Sequence, residues 1–177
     1  MTSSNSHPQR PTRKVLPHAA PAWVPLDATY FLTINCAKRG VNQLAVPDVS
    51  IELLKTIVAR MEMAQWYPKL VLFMPDHVHG LFVFGEDVIM RKVLESWKRY
   101  TARYLRINWQ RDFFDHRIRN EASYFEKWDY IITNPIRAGL VNDALEWPYV
   151  WRVDDFLEFR SSGLPNRPPT VCKDESQ

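Results

Sequence analysis

Cysteine is scarce in this chain, with only Cys36 and Cys172 among 177 residues, and the two form no C-x-x-C pair. They cannot supply a disulfide framework to a domain of this size, which excludes a disulfide-stapled secreted scaffold. Long apolar runs are also missing. No stretch approaches the ~20 residues that span a bilayer, and no basic segment leads into an apolar leader. Both absences point to a cytoplasmic protein. There is no internal repeat, and the extra Asp and His clustering that a two-metal phosphohydrolase wants is lacking.

The chain does have the means to fold, since 46% of it is hydrophobic, enough for one good core. Residues 1–25 carry Pro8, Pro11, Pro17, Pro21 and Pro25 among Ser, Arg and His with neither helical nor strand period, and read as a flexible arm. Residues 159–177 read as a similar tail, leaving 26–158 as the folded domain. The arm offers Arg10, Arg13 and Lys14 to phosphate, or it is disorder without function.

Periodicity orders the elements. Tyr30 to Ala37 alternates apolar and polar positions as a strand does, which makes Cys36 a buried packing residue rather than a nucleophile. Ile51, Leu54, Val58 and Met61 mark an amphipathic helix from Asp48 to about Trp66, closed by Pro68. Leu70 to Met74 and His77 to Phe84 are two strands around Pro75-Asp76, which lacks the Asn-Gly signature of the tightest hairpins. A second helix follows from about Val88 to Ile107, then a short extended piece at Phe113-Phe114, then a third helix from about Glu121 to Ile132. This order predicts an α+β fold, an antiparallel sheet with packed helices related to the split βαβ arrangement.

Within the third strand, His77 and His79 are separated by one apolar residue. Alternation puts them on one face with α-carbons about 6.6 Å apart, within reach of one ion. The competing reading is a histidine pair on the polar face of a half-buried strand, because two ligands do not complete a site.

Charge is concentrated rather than large. Nine basic residues (Arg91, Lys92, Lys98, Arg99, Arg103, Arg106, Arg111, Arg117, Arg119) face three acidic ones between positions 91 and 119, although the net charge is only +3. Arg99, Arg103 and Arg106 recur at helical spacing, with Trp97, Tyr100, Tyr104 and Trp109 interleaved. Such a strip draws phosphates. The alternative is a solvated face opposite a buried aromatic one, and core packing is favoured for Trp97, Tyr100 and Tyr104. Single strands suit the strip better than duplex, since bases stack on flat rings and no groove-entering element is evident.

On the third helix, Tyr124, Trp128 and Ile131 or Ile132 mark a buried side, with Tyr130 in the last turn and Asn134 four residues on, immediately before Pro135. If the helix persists, Tyr130 and Asn134 share a face. Proline opposes continuation. Asn134 is then an N-cap, with Pro135 opening a short helix that ends at Gly139.

The motifs MPDHVHGLF, SWKRYTARYL, RDFFDHRIRNE and WDYIITNPIRAGLV, in that order over Tyr30 to Trp151, resemble the REP-associated tyrosine transposases, a branch of the single-tyrosine HUH endonucleases. The resemblance implies a ferredoxin-like HUH endonuclease arrangement. It also implies that His77 and His79 hold a divalent ion, magnesium or manganese, and that Tyr130 attacks DNA. Asn134 falls where related transposases place a polar third ligand. Asp115, His116 and Arg119 lie in a family motif without individual roles, and Asp76 shapes the turn. The expected activity is that of a single-stranded DNA endonuclease and strand transferase acting at palindromic repeat hairpins through a 5′-phosphotyrosine. The alternative is a catalytically inert hairpin-binding protein. Arg91, Lys98, Arg99, Arg103, Arg106 and Arg119 are the expected DNA contacts, and the protein acts as a monomer or homodimer.

Overall fold

The computed structural model describes residues 28–162, so the Pro-rich arm and all but the first residues of the tail lie outside the described chain. Nine principal elements follow in order: β1 (Thr29–Asn35), α1 (Pro47–Glu62), β2 (Trp66–Met74), β3 (His77–Phe84), α2 (Met90–Tyr104), β4 (Phe114–Arg117), α3 (Glu121–Arg137), β5 (Val150–Arg152) and α4 (Val153–Ser162). The sheet order is β4-β1-β3-β2-β5, and every pairing is antiparallel. Each of the two βαβ units, β1-α1-β2 and β3-α2-β4, has a strand of the other between its own two. This is the split βαβ arrangement that the element order predicts.

Period-two alternation sends side chains to two different cores. Leu32, Ile34 and Cys36, Val71 and Phe73, and Val78, Phe82 and Phe84 pack with α1, α2 and α4 in the main core. Phe31, Leu70, Leu72, Met74 and Leu81 face the other way and pack with Ile131, Trp128 and Tyr124 of α3. The sheet therefore separates α2 from α3. Gly80 belongs to this partition, because a Cβ there would fall into the Phe82 ring and 3.0 Å from the Leu70 carbonyl oxygen.

Several boundaries differ from the sequence reading. The first helix starts with Pro47 in its first turn but stops at Glu62, and Ala64 turns the chain with φ +53 before Trp66 opens β2. Pro68 thus lies in a strand and ends no helix. It is accommodated at a register shift between Pro68 and Leu70, where the ladder does not require its missing N–H. Sequence periodicity does not reveal β5 or α4. The latter runs to Ser162, through the first residues read as tail. Cys36 is fully buried as expected, and burial together with the Asp76 charge pushes its thiol up to about 12.

Candidate active site and basic faces

The β2–β3 turn is built into its surroundings. Pro75 and Asp76 carbonyls accept from Gln43, Leu44 and Cys36 N–H groups, which fixes the turn against the loop after β1. The Asp76 carboxylate accepts from Gly40 N–H at 2.6 Å, pairs with Arg39 Nε at 3.2 Å and receives His77 Nδ1 at 2.6 Å. Burial alone would raise this carboxyl. The Gly40 N–H, His77 and the Arg39 charge outweigh burial and hold it below its ordinary value. A carboxylate can only accept, so Nδ1 of His77 carries the proton and Nε2 keeps its lone pair.

His79 reaches the same state by a different route. Its Nδ1 lies 2.9 Å from Thr33 Oγ1 and its Nε2 faces the Asn134 amide nitrogen at 3.4 Å, an arrangement in which Nδ1–H donates to the hydroxyl and Nε2 holds the lone pair. Burial, aided by the neighbouring His77, lowers its pKa to about 3. Burial also lowers that of His77, against the pull of Asp76. The two rings are 4.7 Å apart and nearly perpendicular. Neutral imidazoles with free Nε2 atoms are the form that ligates cations.

The third helix settles the question that Pro135 leaves open. Asn120 caps it, its side chain accepting from Ser123 N–H at 2.8 Å, and the helix continues to Arg137 with Pro135 inside it. Proline forfeits the hydrogen bond to the Ile131 carbonyl. Beyond it the chain still closes normally, with Ala138 N–H donating to Asn134 and Gly139 (φ +68) ending the helix. Asn134 is therefore no N-cap. It shares a face with Tyr130, and its amide lies 3.4 Å from His79 Nε2. Amide nitrogen and oxygen are interchangeable by a flip, so Asn134 can turn its oxygen towards the same point as the imidazole. The Tyr130 ring is 5.4 Å from His79 and 5.8 Å from Phe31, with the Arg137 guanidinium 5.0 Å from its centre.

His77, His79, Tyr130 and Asn134 thus converge. The expected DNA contacts do not join them. Arg91, Lys98, Arg99 and Arg103 lie on α2, which packs in the main core on the opposite face of the sheet. Lys98 is buried and donates to the Arg111 carbonyl at 2.7 Å, so it is a structural cation and not part of the exposed strip. Arg91 pairs with Glu95 and Asp112. Arg106 lies beyond the helix end, at φ +59, which breaks the helical spacing with Arg99 and Arg103. Trp97 is core, but Tyr100 and Tyr104 are exposed with rings 4.5 Å apart, and Arg103 lies over Tyr104. Arg119 is exposed between β4 and α3.

Sequence reasoning passed over several residues that complete the site. Thr33 shows only as one polar position in an alternating strand, and Arg137 lies seven residues after Tyr130, at helical spacing. The RDFFDHRIRNE segment also divides by face: Asp115 and Arg117 point towards Tyr30, while Phe114 and His116 pair with Thr33 and Phe31 on the α3 side. Among the described residues, no group of three His, Cys, Asp or Glu side chains could hold a metal ion. No helix among them is long and apolar enough to cross a membrane.

Comparison with known proteins adds two findings. The REP-associated tyrosine transposase of Escherichia coli (strain K12) is 28% identical over 130 residues, 68% of this chain and 74% of that protein. A solved REP-associated tyrosine transposase bound to a REP hairpin shares the fold, with TM-score 0.57 and 21% identity over 90% of this chain and 93% of that one. No protein-family model matches the chain.

Proposed function

We propose that this chain, a relative of the REP-associated tyrosine transposases, is a metal-dependent single-stranded DNA endonuclease and strand transferase acting at palindromic repeat hairpins. The observation that carries the reading is α3 continuing through Pro135, which sets the Asn134 amide 3.4 Å from His79 Nε2 and the Tyr130 ring 5.4 Å from the His79 ring, with His77 beside His79. Two neutral imidazole nitrogens and an amide oxygen can ligate a divalent cation, and the resemblance implies magnesium or manganese. His77, His79 and Asn134 would hold it, and when bound it supplies polarisation of a non-bridging phosphate oxygen.

The protein's own groups account for the rest. A phenol, ordinarily titrating at ~10, is a weak nucleophile at neutral pH, so its placement in line with the phosphorus does much of the work. The Tyr130 oxygen forms a bond to phosphorus, and the bond from phosphorus to the 3′-oxygen breaks. The proton goes to the departing 3′-oxygen, leaving a 3′-hydroxyl and a 5′-phosphotyrosine. Attack by a 3′-hydroxyl on that phosphotyrosine reverses the exchange and joins the strands, with no nucleotide cofactor. Arg137 lies over the Tyr130 ring, 5.0 Å from its centre, a cation that packs the ring and sits where a phosphate would approach it. On the far face, Arg99 and Arg103 with the Tyr100–Tyr104 pair would hold DNA away from the cleavage point.

The test is a denaturing gel of protein, manganese and a labelled single strand carrying a palindromic repeat from beside its own gene. A slow-migrating adduct is expected with the native chain and none with Tyr130→Phe, which should still bind DNA. Adduct formation by Tyr130→Phe would overturn the assignment. Tight hairpin binding by the native chain without any adduct would identify an inert hairpin binder instead.

A further inference from the structure

The α3 side of the sheet is only half covered. Helix α3 lies over β2 and β3, where Leu70, Leu72 and Leu81 are buried against Ile131. The β1–β4 half on the same side is less covered: Phe31 is buried, but Thr33 is partly exposed, His116 is exposed and Phe114 is 49% exposed. Pairing fixes the orientation, because Phe114 lies opposite Thr33, whose hydroxyl meets His79. Phe113, its neighbour, packs against the main core instead. Phe114 is therefore a large apolar ring presented to solvent on an edge strand beside the candidate nucleophile. Its ring is 6.2 Å from Phe31, which is 5.8 Å from Tyr130 and 5.5 Å from His79.

The charges along this open half suit a polyanion. Lys127 reaches from α3 over the Phe31 ring, and Arg137 lies over Tyr130. Arg39 flanks the His77 end, tied to Asn35 and Asp76. The acidic groups near the open surface are few: Glu126 is paired with Lys127 and close to His116, and Asp76 is paired with Arg39 and His77. An apolar ring with cations beside it matches the two chemistries of a single strand, flat bases and regularly spaced phosphates.

We propose that Phe114 is the stacking platform for an unpaired DNA base beside the scissile phosphate, and that the open β1–β4 half of the sheet is the track along which the strand reaches Tyr130. The inference rests on the nuclease reading above. It goes further by naming the positioning residue and the occupant, one unpaired base of the cleaved strand. Stacking on a phenyl face tolerates any base, so Phe114 holds the strand in place without specifying its sequence.

The experiment uses full-length Tyr130→Phe protein, which cannot cleave, and hairpin oligonucleotides with 2-aminopurine placed in turn at each position flanking the cleavage point. Fluorescence is expected to be quenched at one or two adjacent positions. Adding Phe114→Ala should abolish that quenching and weaken binding of the single-stranded flank by about tenfold or more, while Phe114→Trp restores both. Thermal melting of the Phe114→Ala chain verifies the fold, and the Trp variant provides the positive control if it melts early. Unchanged quenching and affinity in Phe114→Ala would overturn the track. The two readings fail separately. Loss of quenching in Phe114→Ala without any Tyr130 adduct in the native chain keeps the track and removes the nuclease. An adduct with quenching indifferent to Phe114 does the opposite.

Discussion

Asp76 and Thr33 do for the histidines what the histidines cannot do for themselves. Each imidazole could present either nitrogen to an ion, and a hydrogen bond to the other nitrogen decides which. Replacing Asp76 by Asn keeps an acceptor for Gly40 N–H but removes the charge that orients His77. Manganese affinity, read by direct titration of the purified chain, should fall about 10- to 100-fold. An unchanged affinity would mean that His77 needs no such support. Cys36 makes a second residue-scale prediction. Its thiol, fully buried and pushed up to about 12, should resist alkylation at pH 8.5 in the folded chain and react once unfolded, as peptide mass spectrometry would show. The sign for stability follows. An unfolded cysteine ionises near ~8.5 while the folded one stays a thiol, so above that pH the unfolded state loses protons first and stability falls as pH rises. The burial of Cys36 was legible from the period of its strand. The role of Thr33 was not, because its partner His79 lies across a strand pairing, and Asp76, legible only as a turn residue, also gathers Arg39 and Gly40 from a distant loop.

Among the elements, α3 and α2 show where local reading stops. Proline at 135 correctly signals a strained position, but the tertiary contacts of Ile131 and Asn134 keep the helix going past it. Propensity is a weak prior when packing opposes it. For α2, the basic spacing was visible, but which face of the sheet it occupies depends on topology. Lys98 and Arg106 left the strip for that reason, one buried and the other past the helix end. Replacing Arg99 and Arg103 together by Ala should weaken binding equally across DNA sequences and flatten its salt dependence, by a slope of about one per lost phosphate contact. Adduct formation at saturating DNA should keep its rate, since neither residue is near Tyr130; a collapse of that rate would place α2 in the chemistry. Within β3, Gly80→Ala should destabilise the fold by on the order of 1–3 kcal/mol in a denaturant melt, because the new methyl meets the Phe82 ring on the main-core face.

At the scale of the whole molecule, the four family motifs and the alternation of strands and helices were enough to predict the split βαβ sheet, while β5 and α4 were hidden by their brevity and weak patterning. Tyr130 is half-buried between a helix and the sheet, which bears on the substrate form of the proposed nuclease. On the proposed function, a fully paired duplex should give no adduct under conditions where the same sequence as a single strand, or as a hairpin with a free flank, does. Efficient cleavage of blunt duplex would mean that the site opens more than this architecture allows.

The candidate active site joins segments far apart along the chain: Thr33 meets His79 across 46 positions, and His79 meets Asn134 across 55. Protein synthesis runs from the N-terminus, and domains fold as they emerge. A nascent chain that has emerged only as far as α2 already contains both histidines but not the tyrosine. Any interrupted product of translation ending before α3 would lack both Tyr130 and Asn134, the nucleophile and the third ligand of the proposed site. If the proposed function holds, the order of the segments makes cutting the last capability the polypeptide acquires.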